Sequence, residues 1–189
     1  MKLLRTIRLD PSDSFVFDRA AAPGEWAVPG GFEFWDRNAG QLAGRARQAF
    51  RAGFLGLTSF GWSTLVIAVD VRPEERTAAI ESLAGYLMRA HGAPGLEMAL
   101  AAAREEIDYA EKLALHPADT LIAMHRTIDD DGNIREQFRT LRPADAREAS
   151  QMPCSAGAFA IVDDDGDAPL LPGEDIDLAG LADQRAAKS

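Results

Sequence analysis

The sequence predicts a single-domain α+β fold, in which an antiparallel or mixed sheet of about six strands packs against three helices. Three observations predict it: strand-like alternation in the first third of the chain, two long segments of helical spacing in the middle, and a strongly patterned hairpin after them. A length of 189 residues suits one core of ordinary size. We therefore assign residues 1–143 to the domain, and residues 144–189 to a linker, a candidate last strand over 157–162 and an acidic tail that we expect to be mobile.

The N-terminal third predicts an antiparallel meander. Residues 3–9 alternate as a strand does, and the Asp-Pro-Ser-Asp sequence at 10–13 supplies turn residues before a short second strand over 14–17. Residues 25–35 are rich in aromatic side chains around Pro-Gly-Gly, so they predict a bent or bulged third strand.

The middle of the chain predicts three helices and one buried strand. Helical spacing of apolar residues covers 41–57, and a β-branched run over 63–69 is typical of a buried strand. A second helix begins at Pro73 and ends near His91, with Met88 in its predicted buried stripe, and a third covers about 95–115. Because the link between these last two is so short, they should pack as an antiparallel pair.

The hairpin over 120–141 is the most fully specified element. A three-residue loop at 130–132 places Gly132 at the left-handed position that such loops need. That register pairs apolar with apolar and cation with anion, as Ile128 with Ile134, Arg126 with Glu136, and Met124 with Phe138.

Charge and composition exclude several classes of function. The net charge of −10, with no basic stripe, argues against binding of nucleic acid or of an anionic membrane surface. No apolar segment is long enough to span a bilayer, and the N-terminus is unlike a signal peptide. Cys154 is the only cysteine, so no intrachain disulfide can form. We expect a cytoplasmic protein.

One strand face offers a candidate ligand site. The predicted register places His125, Arg135 and Arg139 on the polar face of the hairpin, where an imidazole and two guanidiniums could bind a carboxylate or phosphate. The competing interpretation is the ordinary solvated face of an antiparallel sheet.

The other polar clusters predict no metal site and no cofactor. The histidines lack zinc-site spacing, and no phosphate-binding glycine loop occurs. His91 and His116 suit helix ends. Residues 163–174 match a calcium loop only in part, since Ala168 replaces the required glycine. The acidic cluster on the third helix we interpret as an exposed face; its members are Glu105, Glu106, Asp108 and Glu111.

Three stretches together resemble a known family. They are LLRTIRLDPSDSFVF, FRAGFLGLTSFGWSTLV, and HPADTLIAMHRT with IREQFRTLRP. The resemblance is to a small family of uncharacterised alphaproteobacterial proteins and covers Leu3 to Pro143. It implies a cytoplasmic bacterial protein with no established activity, and it supplies no catalytic residue.

Two functions of different classes follow. The first is a non-catalytic accessory or interaction module with a protein partner, for which an exposed Trp35 would suit the contact surface. The second is a binding protein or enzyme that holds a small anionic ligand on His125, Arg135 and Arg139. An enclosed pocket over those three residues would favour the second, and a shallow sheet face with an exposed aromatic patch would favour the first.

Overall fold

A computed structural model describes residues 1–129, 132–143 and 159–162. In this part of the chain, eight strands form one antiparallel sheet in the order β4-β3-β2-β1-β5-β6-β7-β8. The strands are β1 (Lys2–Ile7), β2 (Trp26–Val28), β3 (Phe54–Gly56), β4 (Trp62–Ser63), β5 (Leu65–Asp70), β6 (Leu121–Ile128), β7 (Ile134–Pro143) and β8 (Phe159–Val162). The helices are α1 (Asp13–Val16), α2 (Gly44–Ala52), α3 (Pro73–Ala90) and α4 (Leu96–Leu113).

The predicted α+β class and the single sheet are confirmed, with more strands than the six expected. The candidate last strand is present as β8, which pairs with β7. The predicted linker and acidic tail lie outside the described residues, as do Cys154 and the partial calcium loop.

The predicted second strand over 14–17 is wrong, because this segment forms the one-turn helix α1. The Asp10 carboxylate accepts the Ser12 N–H at 2.7 Å, and the Ser12 carbonyl then accepts the N–H of Val16 at 3.0 Å. The side chain of Asp13 is buried and accepts hydrogen bonds from the hydroxyls of Ser63 and Thr64. The turn chemistry therefore continues into helix, and Asp13 anchors that helix to the sheet.

The predicted bent strand over 25–35 is confirmed only for β2. Gly30 has φ +72° and ends the strand, and a 3₁₀ turn over Gly31–Phe34 follows it. A Cβ atom at Gly30 would lie 2.8 Å from the Cβ of Leu55, so glycine is required there for both conformation and space. The 3₁₀ turn buries Phe32 and Phe34 and leaves Trp35 exposed.

The predicted helix over 41–57 is shorter than its apolar spacing indicates. The chain leaves helix α2 at Gly53 and enters β3 directly, so the apolar residues that follow belong to a strand. A Cβ atom at Gly53 would lie 2.7 Å from the Trp62 ring, which explains a glycine at this junction. Helical and strand burial cannot be told apart by periodicity in so short an apolar run.

The predicted α3 and α4 are confirmed, and α3 packs on α4 while α4 packs on β1 and β2. Small residues of α4 and the residue directly after it are fully buried in the core between helix and sheet; they are Ala99, Ala103, Ala110 and Ala114. Met88 is 40% exposed, so its place in the predicted buried stripe is wrong. In the part of the chain that is described, no helix is both long and apolar enough to cross a membrane.

The hairpin register is confirmed in full: β6 and β7 pair Ile128 with Ile134, Arg126 with Glu136, and Met124 with Phe138. The Asp129 N–H donates to the Asn133 carbonyl at 3.0 Å and closes the predicted loop, in which Gly132 has φ +85°.

A cation–anion pair on neighbouring strands usually lies on an exposed face of the sheet. Arg126 is instead buried, with only 1% of its surface exposed. Its Nε donates to Glu136 Oε1 at 2.6 Å, and its Nη1 donates to the carbonyls of Phe50 at 3.0 Å and Gly53 at 3.2 Å. Its Nη2 donates to the carbonyl of Pro29. The guanidinium thus satisfies carbonyls at the C-terminal end of α2, where a positive charge also complements the helix dipole.

Replacing Arg126 should therefore destabilise the fold far more than replacing arginines on the solvent face. Arg126→Met should lower the free energy of unfolding by about 3–5 kcal/mol, because it leaves Glu136 without its cation and three carbonyls without a donor. The double variant Arg135→Ala/Arg139→Ala, on exposed side chains of the same hairpin, should change it by less than about 0.5 kcal/mol. Urea denaturation measures both free energies of unfolding. Equal losses would contradict the conclusion that Arg126 is buried while Arg135 and Arg139 face solvent.

Candidate functional site

The three predicted ligand residues lie on the solvent side of the hairpin, but the structure does not bring all three together. Arg135 and Arg139 are four residues apart on β7, so their Cα atoms are about 13 Å apart along the strand. Arg135 Nε is paired with Asp129 Oδ2 at 3.0 Å, and its side chain is 71% exposed. In its observed position, the Arg135 guanidinium therefore contacts Asp129.

A different cationic group forms around His125. Partial burial lowers the pKa of this imidazole, and the nearby guanidiniums of Arg51 and Arg139 lower it further. Arg51 comes from α2, which lies against β6, and no local sequence pattern places it near His125. The two guanidiniums that act on His125 are thus those of Arg51 and Arg139, and ligand binding by His125, Arg135 and Arg139 stays a prediction.

A concavity lies elsewhere, between the 3₁₀ turn, α4 and the hairpin. Two cavities of about 500 Å³ and 290 Å³ meet there and share Trp35 and Ile134 in their walls. We call the two together the Trp35 cleft. The smaller cavity is lined by the polar groups Glu106, Tyr109 and Glu136, and the larger one extends past Arg37 and Asn38.

Glu136 forms the floor of the smaller cavity and is held from two sides. Its Oε1 accepts from Arg126, and its Oε2 accepts from the Tyr109 hydroxyl at 3.1 Å. Burial raises the pKa of Tyr109, and the Glu136 carboxylate raises it further, so the phenol stays a proton donor at neutral pH. The negative charge of Glu136 is therefore balanced by the buried guanidinium behind it.

Glu106 lies beside Glu136 and forms no ion pair with any of the described residues. It is partly buried, and its Oε1 accepts the Gly30 N–H at 2.9 Å. Burial raises the pKa of the Glu106 carboxyl, and the neighbouring Glu136 charge acts in the same direction. The interpretation of Glu106 as part of an exposed acidic face is therefore wrong.

The rest of that acidic cluster has a structural role or faces solvent. Arg76 of α3 pairs with Asp108 and with Glu111, whose Oε1 lies 3.0 Å from Arg76 Nε, and so joins the two helices. Glu105 is exposed. A signal for Glu106 was present in the sequence, since it stands three residues after Ala103 and four before Ala110, at the border of the buried stripe.

Trp35 stands at the mouth of the cleft with 78% of its surface exposed. The residues before it are fixed: the Phe34 ring stacks on Trp62 at 5.4 Å and meets Phe50 edge-on at 5.2 Å. The Phe32 ring meets His91 edge-on at 5.4 Å. The Trp35 indole therefore lies in solvent directly after two residues whose rings pack against the rest of the protein.

The remaining histidines have structural partners. His91 ends α3, as predicted, and its Nε2 lies 3.0 Å from Glu33 Oε1. The carbonyl of His116, just beyond α4, accepts from Lys2 Nζ at 2.6 Å. Across residues 1–129, 132–143 and 159–162, no group of three or more His, Cys, Asp or Glu side chains is arranged to hold a metal ion.

The chain belongs to a family of unknown function (DUF6505), whose match covers residues 1–155. The resemblance to an uncharacterised family is thereby confirmed, and the alphaproteobacterial distribution stays a prediction. No curated protein and no solved structure matches the chain. Membership of this family therefore assigns no activity to the Trp35 cleft.

The raised pKa of Glu106 predicts a pH-dependent effect of one substitution. A carboxyl whose pKa is higher in the folded than in the unfolded protein stabilises the fold below its ordinary pKa, and loses that contribution as the pH rises through its folded-state pKa. Glu106→Gln keeps an acceptor for the Gly30 N–H but cannot ionise. It should therefore raise Tm at pH 7, by about 2 °C, and should have little effect near pH 4.

Thermal unfolding of the two proteins at the two pH values measures this difference. Glu105→Gln, which removes the same charge from an exposed neighbour on the same helix, should leave Tm nearly unchanged at both. A Glu106→Gln variant that is less stable than the parent at pH 7 would contradict the inference that the folded protein disfavours the ionised form of Glu106.

Proposed function

We propose that this member of the DUF6505 family is a non-catalytic interaction module that binds a partner protein through the Trp35 cleft. The single observation that carries the proposal is the indole of Trp35, which is 78% exposed at the junction of two cavities. The cytoplasmic location and the absence of a cofactor inferred from the sequence stay predictions.

Tryptophan contributes more binding energy at protein interfaces than almost any other side chain, because it offers a large rigid apolar surface for few rotatable bonds. Left in water, the same surface contributes nothing to folding. A tryptophan that is exposed beside a concavity is therefore favoured as the anchor of an interface over a plain surface residue.

The surroundings of Trp35 support preorganised binding. The 3₁₀ turn before it is tied to α3 through Phe32 and His91, and to α2 through Phe34 and Phe50. Across the cleft, Glu136 is held by Arg126 and Tyr109. A surface that is already ordered loses little conformational entropy on binding, so more of the contact energy appears as affinity.

A second candidate function keeps part of the predicted ligand site. The charges of Arg51 and Arg139 near His125 favour a small anion at that point of the sheet, such as a phosphate or carboxylate. Arg135 has no part in this candidate because it is paired with Asp129. Titration of inorganic phosphate, followed by NMR of the His125 ring, tests it: binding should raise the pKa of His125.

Replacing Trp35 should abolish capture of a partner while leaving the fold intact. In affinity pull-downs from the source cells, the parent protein should retain a stoichiometric partner that Trp35→Ala loses, because the anchor of the interface is gone. Leu115→Ala is the matched control, since Leu115 is 81% exposed and stands beyond the C-terminal end of α4. The purified partner should then bind the parent and the Leu115→Ala variant equally, and bind Trp35→Ala at least about tenfold more weakly.

A partner that binds the Trp35→Ala variant as tightly as the parent would overturn the proposed surface. Loss of binding in the Leu115→Ala variant as well would also do so, because it would place the interface outside the cleft. Circular dichroism should show that all three proteins are equally folded.

A further inference from the structure

We propose that the Trp35 cleft accepts an arginine side chain of the partner, with the guanidinium stacked on the indole of Trp35 and paired with the carboxylate of Glu106. This inference rests on the proposed interaction function and specifies the chemistry that the cleft recognises.

The charges that line the smaller cavity favour binding of a cation. Two carboxylates line it, and within the described part of the chain only Glu136 has a cationic partner, since Arg126 donates to it from the protein interior. Glu106 Oε1 accepts one backbone N–H from Gly30, and no described residue donates to its Oε2. The Glu106 side chain is only partly buried and lines the cavity, so a donor that enters the cavity can approach it.

A cation bound at Glu106 would stabilise the ionised carboxylate, which the free protein disfavours. Partial burial disfavours the ionised form of Glu106, and the neighbouring charge of Glu136 acts in the same direction. Of the other titratable groups that face it, Tyr109 is neutral, and Arg126 favours the ionised form but directs its N–H groups to Glu136 and to backbone carbonyls. A bound anion would meet two carboxylates and is disfavoured for the same reason.

Arginine fits the walls of the cavity better than lysine does. Its planar guanidinium can stack on an indole face and at the same time donate in its own plane to a carboxylate, whereas an ammonium is a strongly hydrated point charge. Trp35 and Glu106 line the same cavity of about 290 Å³, which is large enough to admit one arginine side chain. The adjoining cavity of about 500 Å³ leaves room for the chain that carries it.

Titration of the full-length protein with N-acetyl-arginine amide, followed by NMR of the Trp35 indole N–H, tests this inference directly. The probe should shift that signal with a dissociation constant of about a millimolar to tens of millimolar, as expected for a single side chain without its flanking contacts. The citrulline analogue, which has nearly the same shape but no charge, should bind at least about tenfold more weakly.

Substitutions on α4 identify the carboxylate that is responsible. Glu106→Gln should weaken binding of the arginine probe at least about tenfold, because it removes the charge and keeps the shape. Glu105→Gln is the matched control: it removes the same charge from an exposed position on the same helix and should leave the affinity unchanged.

Three results would overturn the inference. They are no shift of the Trp35 signal at roughly 100 mM probe, equal binding of the arginine and citrulline probes, and equal affinity of the two glutamate variants. Tighter binding of the lysine analogue would overturn the choice of arginine. A partner that is lost in Trp35→Ala but binds Glu106→Gln as tightly as the parent would overturn the arginine inference alone and leave the proposed interaction function standing.

Discussion

The buried guanidinium of Arg126 is the interaction on which the rest of the structure depends. It joins the hairpin of β6 and β7, through Glu136, to two parts of the chain that are distant in sequence: the Pro29 carbonyl after β2 and the C-terminal end of α2. Its five N–H donors lie in one plane, so it can satisfy three carbonyls and a carboxylate at once, which a lysine cannot do. Burial lowers the pKa of Arg126 while Glu136 opposes that effect, and arginine remains protonated at neutral pH.

The same guanidinium determines the electrostatics of the Trp35 cleft. Because Arg126 neutralises Glu136 from the protein interior, the two carboxylates of the smaller cavity are not equivalent: Glu136 has a cation, whereas the one hydrogen-bond donor to Glu106 among the described residues is the backbone N–H of Gly30. The Pro29 carbonyl that Arg126 holds immediately precedes Gly30, the donor to Glu106. Folding therefore fixes the position of Glu106 but gives its charge no ion-pair partner among the described residues, an arrangement that lowers stability.

The features that the sequence predicts correctly depend on interactions between residues that are close together in the chain. The hairpin register follows from the side-chain alternation and from the need for glycine at position 132, and both act within about twenty residues. Helices α3 and α4 are recognisable because each is long enough for its period to be unambiguous. Short apolar runs lack that information, so α1 and the start of β3 differ from prediction. Glu106 stands at the border of a predicted buried stripe, but a carboxylate there is indistinguishable by spacing from a solvated one.

The sequence by itself determined the α+β class, the hairpin and the paired long helices, because residue periodicity and turn chemistry act between near neighbours. It also contained the Arg126–Glu136 pair, since strand pairing puts the two residues side by side. Only the tertiary structure decided that this pair is buried, that Arg51 approaches His125, and that Trp35 and Glu106 line one cavity. Each of these depends on how α2, the 3₁₀ turn and α4 pack against the sheet, and such packing is set by the whole set of long-range contacts rather than by any one segment.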